Sequence, residues 1–391
     1  MTTQAGDPGA FRDFDLARVG TPAFVVDAAA LRRNLATLSD IKTRSGARIL
    51  LALKAFSMWE TASITHGPLD GTCASGLWEA RLAAKHYPGH IETYCPAYKA
   101  ADLPEIAALS DTIVFNTPTQ HARFRDLLDR TGETFDIGLR INPEHSTGDI
   151  PKYDPASPGS RLGFPVSQLR EEHLSGISGL HMHSLCEQGF EPLAETWATL
   201  EPRIGPLLHR LDWLNLGGGH HITRADYDRD GLVKLLRDIA DKYNLQVWLE
   251  PGEAVALDAG ILIGETLDIF QNGDTNIAIT DISATCHMPD VIEAPYRPAL
   301  LDESAAAAAD ETYRLGGPSC LAGDIIGDYS FETPPAPGQR FAFLDQAHYS
   351  MVKTTTFNGV PLPSLYLWDS DTNALKQVRS FDWTEFERRL S

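Results

Sequence analysis

Short uninterrupted apolar runs alternate along most of the chain with stretches in which apolar residues recur every three or four positions. Residues 49–53 are five apolar side chains in a row, as suits a strand buried on both faces. Comparable strand-like runs follow at 72–74, 91–94, 112–115, 135–141, 177–182, 211–216 and 246–249. Ahead of them, 21–27 reads as a strand and 28–38, with Leu31, Leu35 and Leu38, as a helix. Eight strands separated by helices over roughly 230 residues predict the α/β class, and a (β/α)8 barrel rather than an open doubly wound sheet. The barrel is expected at 28–258. Beyond Glu250 the apolar runs shorten, as at 277–279 and 340–344, and are broken by Gly and Pro. That pattern predicts a mainly β C-terminal domain, 259–391, which borrows the first strand through residues 1–27. The alanine run 305–309 reads as a helical turn or an exposed insertion, and the Pro-, Gly- and Ser-rich stretch between Asn142 and Phe164 as a long functional loop.

In such a barrel, chemistry gathers where strands end. The predicted ends are Lys54, Ser75, Asn116, Arg140 with Asn142, His183, Gly217-Gly218-Gly219 and Glu250. Lys54 has two readings: it snorkels to solvent and closes the strand, or desolvation makes it a neutral amine that forms a Schiff base with a carbonyl. The three glycines suit either a tight turn or a backbone nest for phosphate, and barrels commonly bind phosphate after strands seven and eight. His181 and His183, two apart on one face, suit a metal pair or a ring-stacking residue beside a core residue. No ligand spacing completes a closed metal site. Glu250 is either a solvated strand-end carboxylate or the partner of a pyridine nitrogen. Pyridoxal phosphate needs a Schiff-base lysine, a phosphate nest and a charged partner for its ring nitrogen, and three strand ends supply them.

Composition narrows the partners. The chain has 33 basic and 53 acidic side chains, a net charge of −20, which disfavours nucleic acid and anionic membranes; by itself that charge reads first as simple solubility, and second as an attraction for a small cationic ligand. Its five cysteines lack CxxC spacing and are odd in number, so a reducing compartment is expected. No signal-type segment or membrane span is legible, and a soluble cytoplasmic protein is expected.

Several motifs together resemble the fold type III pyridoxal-phosphate enzymes, which include alanine racemase and the ornithine, arginine and diaminopimelate decarboxylases. They are Ala52-Leu53-Lys54, Cys73-Ala74-Ser75, His181-Met182-His183-Ser184, the glycine triplet, Glu250-Pro251-Gly252, Gly317-Pro318-Ser319-Cys320, and Tyr349 through Phe357-Asn358-Gly359. Within that family, Cys286-His287-Met288-Pro289-Asp290-Val291, Pro295-Tyr296-Arg297-Pro298, Gly159-Ser160-Arg161-Leu162-Gly163 and Gly219-His220-His221 resemble the carboxynorspermidine/carboxyspermidine decarboxylase group. The resemblance implies that Lys54 holds pyridoxal 5'-phosphate, His183 stacks on its ring, Glu250 binds its nitrogen, and Gly217, Gly218, Gly219 and Tyr349 take its phosphate. It also implies a homodimer in which Cys320 and Asp324 come from the partner subunit, with Cys320 returning a proton to Cα. Asp290, Glu253, Asp324 and Arg161 are the expected substrate contacts, with Asp281 and Glu293 nearby. Two positions depart from the wider family: Glu253 stands where ornithine decarboxylases carry an arginine, and Leu321 where many relatives have an acid. Arg297 is expected in an ordinary salt bridge with one of the neighbouring acids. The expected activity is decarboxylation of a carboxylated triamine in polyamine biosynthesis. The alternatives are a diaminopimelate or other basic amino-acid decarboxylase, a racemase, a non-catalytic cofactor carrier and a metal hydrolase.

Overall fold

In a computed structural model, residues 6–148, 150–301, 303 and 311–391 are described, and the alanine run 305–309 lies outside them. The chain forms two units, Arg32–Val255 and Met1–Leu31 with Ala256–Ser391. It enters through β1 (Ala23–Asp27), a fully buried strand of the second unit. Eight parallel strands follow in the first unit: β2 (Arg48–Ala52), β3 (Gly71–Ala74), β4 (His90–Tyr94), β5 (Thr112–Phe115), β6 (Asp136–Asn142), β7 (Gly179–His181), β8 (Trp213–Asn215) and β9 (Gln246–Leu249). Each pairs with the next, and β9 pairs with β2, which closes the barrel.

Closure explains why these strands are apolar on successive residues: helices cover one face while the barrel interior fills the other. The interior centres on Trp213 and Trp248, stacked with ring centroids 4.6 Å apart, among Leu50, Cys73, Tyr94 and Val114. Gly179 makes room for them, because a Cβ there would lie 2.0 Å from Trp213 Cδ2. Arg48 covers the far side of Trp248, its guanidinium carbon 4.6 Å from the ring centroid. The long loop after β6 is tied to the strand ends. Asn116 accepts from Gly163 N at 2.7 Å and donates to the Arg161 carbonyl at 3.0 Å, while buried Asp154 accepts from Gly148 N and Ala156 N.

The second unit is a sheet of β10 (Gly260–Asn272), β11 (Thr275–Thr280), β12 (Glu311–Gly316), β13 (Ile325–Phe331), β14 (Arg340–Phe343), β15 (Ser364–Asp369) and β16 (Ala374–Arg379), with β1 inside it. β1 runs antiparallel to β10 and parallel to β15, so residues near the N-terminus sit at the centre of a sheet otherwise built from the end of the chain. Phe11, Phe14, Val25, Ile261, Leu344 and Trp368 are among the residues of its core. Asp27 ends β1 by accepting hydrogen bonds from Ala29 N and from Ser370 N and Oγ, at 2.8–3.1 Å.

Candidate active site at the barrel mouth

β2 and β9 are neighbours, so their C-terminal ends bring Lys54 and Glu250 to one side of the barrel mouth. Past β2 the backbone turns, with Ala55 N donating to Ala52 O at 3.1 Å, and Lys54 projects into the open mouth. Solvent reaches the side chain, yet protein surrounds it. That enclosure, and next the charge of Arg140, lower the pKa of its ammonium, while Cys73, Glu250 and Cys186 work the other way.

The glycine triplet follows β8. Gly217 and Gly219 have φ of +71° and +83°, the left-handed region, and a Cβ on Gly218 would lie 2.1 Å from the Glu250 carbonyl oxygen. Gly217 O accepts from Glu250 N at 2.7 Å, and Gly218 N donates to His183 Nδ1 at 3.1 Å. The latter bond assigns the imidazole proton to Nε2. Burial, then the charges of Lys54 and Arg140, hold His183 well below its ordinary pKa, so it is a neutral ring. Arg140 is buried across the mouth. Its Nη2 donates to His183 O at 3.0 Å, and its guanidinium lies 4.6 Å from the centroid of Tyr94.

Beneath these groups lies a buried polar network. Asn215 Nδ2 donates to Glu250 Oε1 at 2.6 Å and to both oxygens of Glu92, at 3.0 and 3.3 Å. His181 stacks on Tyr94 and places Nε2 3.3 Å from Glu250 Oε2. Burial works to raise the pKa of Glu250, but His181 and a hydrogen bond from Glu92 outweigh it and hold the carboxyl well below its usual range. Glu92 moves the opposite way, raised by burial and then by the charge of Glu250. Cys73 Sγ and one oxygen from each carboxylate lie within 4.8 Å of one another, and this is the only such His/Cys/Asp/Glu group among the described residues. Burial first, then Glu250, raise the Cys73 thiol as well, so two of its three donors favour their protonated forms. His181 and His183 therefore share the strand end without sharing a metal-ligand set.

Of the expected substrate contacts in this unit, Glu253 lies 3.2 Å from His221 Nε2. Burial opposes the charge on His221, but Glu253 prevails and raises its pKa. Arg161 is held by its backbone, and its side chain is exposed.

In the second unit, Lys353 Nζ lies 2.6 Å from Asp290 Oδ1, a partner that no local spacing in the sequence points to. Tyr349 has φ of +40° and lies 5.4 Å from Lys353 Nζ. Asp324 is buried and accepts from Ser283 Oγ, Ser319 Oγ and Thr285 N, at 2.5–3.1 Å. It thus braces the turn that carries Cys320. The Cys320 side chain is exposed, and its backbone N donates to Asn358 Oδ1 at 3.2 Å, joining two of the sequence motifs. Asp281 accepts from Glu265 N at 2.7 Å, and Glu293 is exposed. Arg297 forms an ion pair with the nearby acid Glu303 at 2.6 Å, and its side chain lies over the Tyr329 ring.

Sequence reasoning missed Glu92 and Asn215. Both sit inside strands that read as apolar, and they meet across 123 positions of chain. A buried acid within the 91–94 run was the available signal. Arg140 Nε and His181 Nδ1 are buried without a protein hydrogen-bond partner. With an amine of lowered pKa, a glycine loop, a neutral imidazole and an ionised carboxylate, they form a donor set suited to a pyridine ring bearing a carbonyl and a phosphate.

A family model described as pyridoxal-dependent decarboxylase, C-terminal sheet domain, matches residues 23–347. The carboxynorspermidine/carboxyspermidine decarboxylase of Campylobacter jejuni is 38% identical over 383 residues, covering 95% of this chain and 99% of its own. The carboxyaminopropylagmatine decarboxylase of Synechocystis is 38% identical over 376 residues, covering 96% of each. The crystal structure of carboxynorspermidine decarboxylase from Campylobacter jejuni, complexed with norspermidine, superimposes with a TM-score of 0.85 at 37% identity, covering 95% of this chain and 100% of that one. Among the described residues, no helix is long and apolar enough to cross a membrane.

Proposed function

The chain belongs to the carboxynorspermidine/carboxyspermidine decarboxylases, within the pyridoxal-dependent decarboxylases, and from that premise we propose that it decarboxylates carboxynorspermidine or carboxyspermidine to norspermidine or spermidine. The observation that carries the reading is the near full-length likeness to the Campylobacter jejuni enzyme, together with a barrel mouth whose donors suit the cofactor. Lys54, His183, Gly217, Gly218, Gly219, Glu250 and Tyr349 would hold pyridoxal 5'-phosphate. Bound there, the cofactor supplies an electron sink for the pair left on Cα when CO2 departs.

The residues do the rest. A lysine of lowered pKa is neutral often enough to attach a carbonyl covalently and to give it up to an incoming amine. The neutral imidazole of His183, fixed by Gly218 N, offers a flat face for a ring without competing for its proton. Glu250 keeps a proton on the ring nitrogen because its own carboxylate is held ionised. In our reading the site is completed in a homodimer: the Cys320 thiol gives the final proton to Cα from across the interface, and Asp324 positions it through Ser319.

The substrate follows from charge. A diaminopimelate pocket must hold a distal carboxylate and needs cations there, whereas a carboxylated triamine presents cationic amines and needs carboxylates. Asp290 and Glu253 are the acids proposed for this, each already beside a basic side chain, Lys353 and His221 respectively. Arg161 is proposed for the carboxylate end. The Synechocystis relative, of equal identity, favours a second reading, in which the tail ends in a guanidinium. Purified protein should absorb in the visible region, and borohydride should fix the chromophore to Lys54. CO2 should be released from the carboxylated triamines far faster than from meso-diaminopimelate, ornithine or arginine. A chromophore fixed to another lysine, or no CO2 from either triamine, overturns the proposal.

A further inference from the structure

Glu92 has no place in the chemistry above, yet it is fully buried on β4 against the carboxylate on which that chemistry depends. The geometry constrains its protonation. Asn215 Oδ1 accepts from Gly217 N at 2.8 Å, which fixes the amide so that its NH2 group faces the two carboxyl groups. Those two protons must serve Glu250 Oε1 at 2.6 Å and both oxygens of Glu92 at 3.0 and 3.3 Å. Glu250 has a further contact, His181 Nε2, and Glu92 has none: among the described residues no Lys or Arg forms an ion pair with it, and its other close titratable neighbour is the Cys73 thiol. Arg48 is the one cation among the causes that act to lower its pKa, and its guanidinium is engaged over Trp248. Two ionised carboxylates around one amide cannot both be satisfied in this interior, so one retains its proton. The shorter bond and the second contact select Glu250 as the ionised one.

We propose that Glu92 is a positioning residue: as a neutral carboxylic acid it donates a hydrogen bond to Glu250, keeping that carboxylate ionised and aimed at the cofactor's ring nitrogen. The pair then carries a single negative charge, which matches the single positive charge of a protonated ring. The raised pKa of Glu92, caused by burial and then by Glu250, agrees with this arrangement. The inference rests on the reading of Glu250 as the partner of the ring nitrogen.

The test uses the full-length, cofactor-loaded protein and two variants. Glu92→Gln can accept from Asn215 through Oε1 and donate to Glu250 through Nε2, so it keeps both bonds without an ionisable group. Glu92→Met fills similar space and keeps neither. The infrared difference spectrum of wild type minus Glu92→Gln at pH 7 should contain the carbonyl stretch of a protonated carboxylic acid. Glu92→Met should lower kcat about tenfold, the scale of one lost hydrogen bond to a charged group, with KM little changed. Glu92→Gln should recover most of that loss. Absence of the infrared band, or an equal fall of kcat in both variants, overturns the proposal. The band reads Glu92 without turnover, so it decides the protonation even if the proposed substrate is wrong, and it stands if the Met variant fails to fold.

Discussion

Glu250→Gln removes one negative charge from the floor of the site and leaves its shape. The structure gives reasons to expect that folding survives. Asn215 Nδ2 can still donate to the remaining carbonyl oxygen, now Oε1 of the amide. The new NH2 faces His181 Nε2, formerly 3.3 Å from Oε2, and must find an acceptor there. His181 Nδ1 has no protein partner, so the imidazole can move its proton to that atom and accept through Nε2 at little cost. What is lost, on the proposed role of Glu250, is the charge that would keep the ring nitrogen protonated. Opposite charges about 4 Å apart, at an effective dielectric of about 20, are worth about 4 kcal/mol. Removal of comparable preorganised electrostatic groups costs about 10²–10³ in kcat. We expect kcat for CO2 release to fall by about that factor, while the visible spectrum still reports bound cofactor and the melting temperature shifts little. A kcat within about threefold of wild type, with the cofactor loaded, refutes the electrostatic role given that scale.

Three further outcomes are expected. Gly179→Ala places a Cβ 2.0 Å from Trp213 Cδ2, and the ring cannot retreat from its stack on Trp248, so unfolding should cost about 3 kcal/mol less than in wild type; an unchanged Tm contradicts the packing account. Asp258 has its pKa raised to about 7 by burial and then by Asp345. Because that lies above its unfolded value, its favourable contribution is complete below a pH of about 4 and lost as pH rises through about 7. Asp258→Asn keeps the acceptor for Asp7 N and should gain on wild type with rising pH, reaching about 1–2 kcal/mol above neutrality after solvent screening; a gain that shrinks across a urea-denaturation pH series refutes it. If Cys320 crosses a dimer interface, mixing inactive Lys54→Ala and Cys320→Ala subunits should restore part of the activity, and mixtures that stay inactive contradict the shared site.

The barrel was legible because closure buries both faces of every strand, leaving apolar runs that differ from the observed strands by a few residues at their ends. The 211–216 run, for example, narrows to Trp213–Asn215. The run 21–27 was legible as a strand, while its partners, β10 and β15, come from the far end of the chain and were not legible in its own pattern. Polar partnerships across the chain were not legible. Glu92 and Asn215 pair over 123 residues, and each stands in a strand whose pattern speaks for burial and not for hydrogen bonding. The neighbours of the acids proposed for substrate were also hidden. Asp290 meets Lys353 and Glu253 meets His221, contacts that depend on how loops return and that no local spacing encodes.

The central claim concerns substrate, and a competition assay tests it most directly. Equimolar carboxynorspermidine, carboxyspermidine, carboxyaminopropylagmatine and meso-diaminopimelate would be offered together, and their decarboxylated products followed by mass spectrometry, so that relative kcat/KM is read from one vessel. The account predicts that norspermidine and spermidine form first, with lysine the slowest product. Lysine forming ahead of both triamines would contradict it.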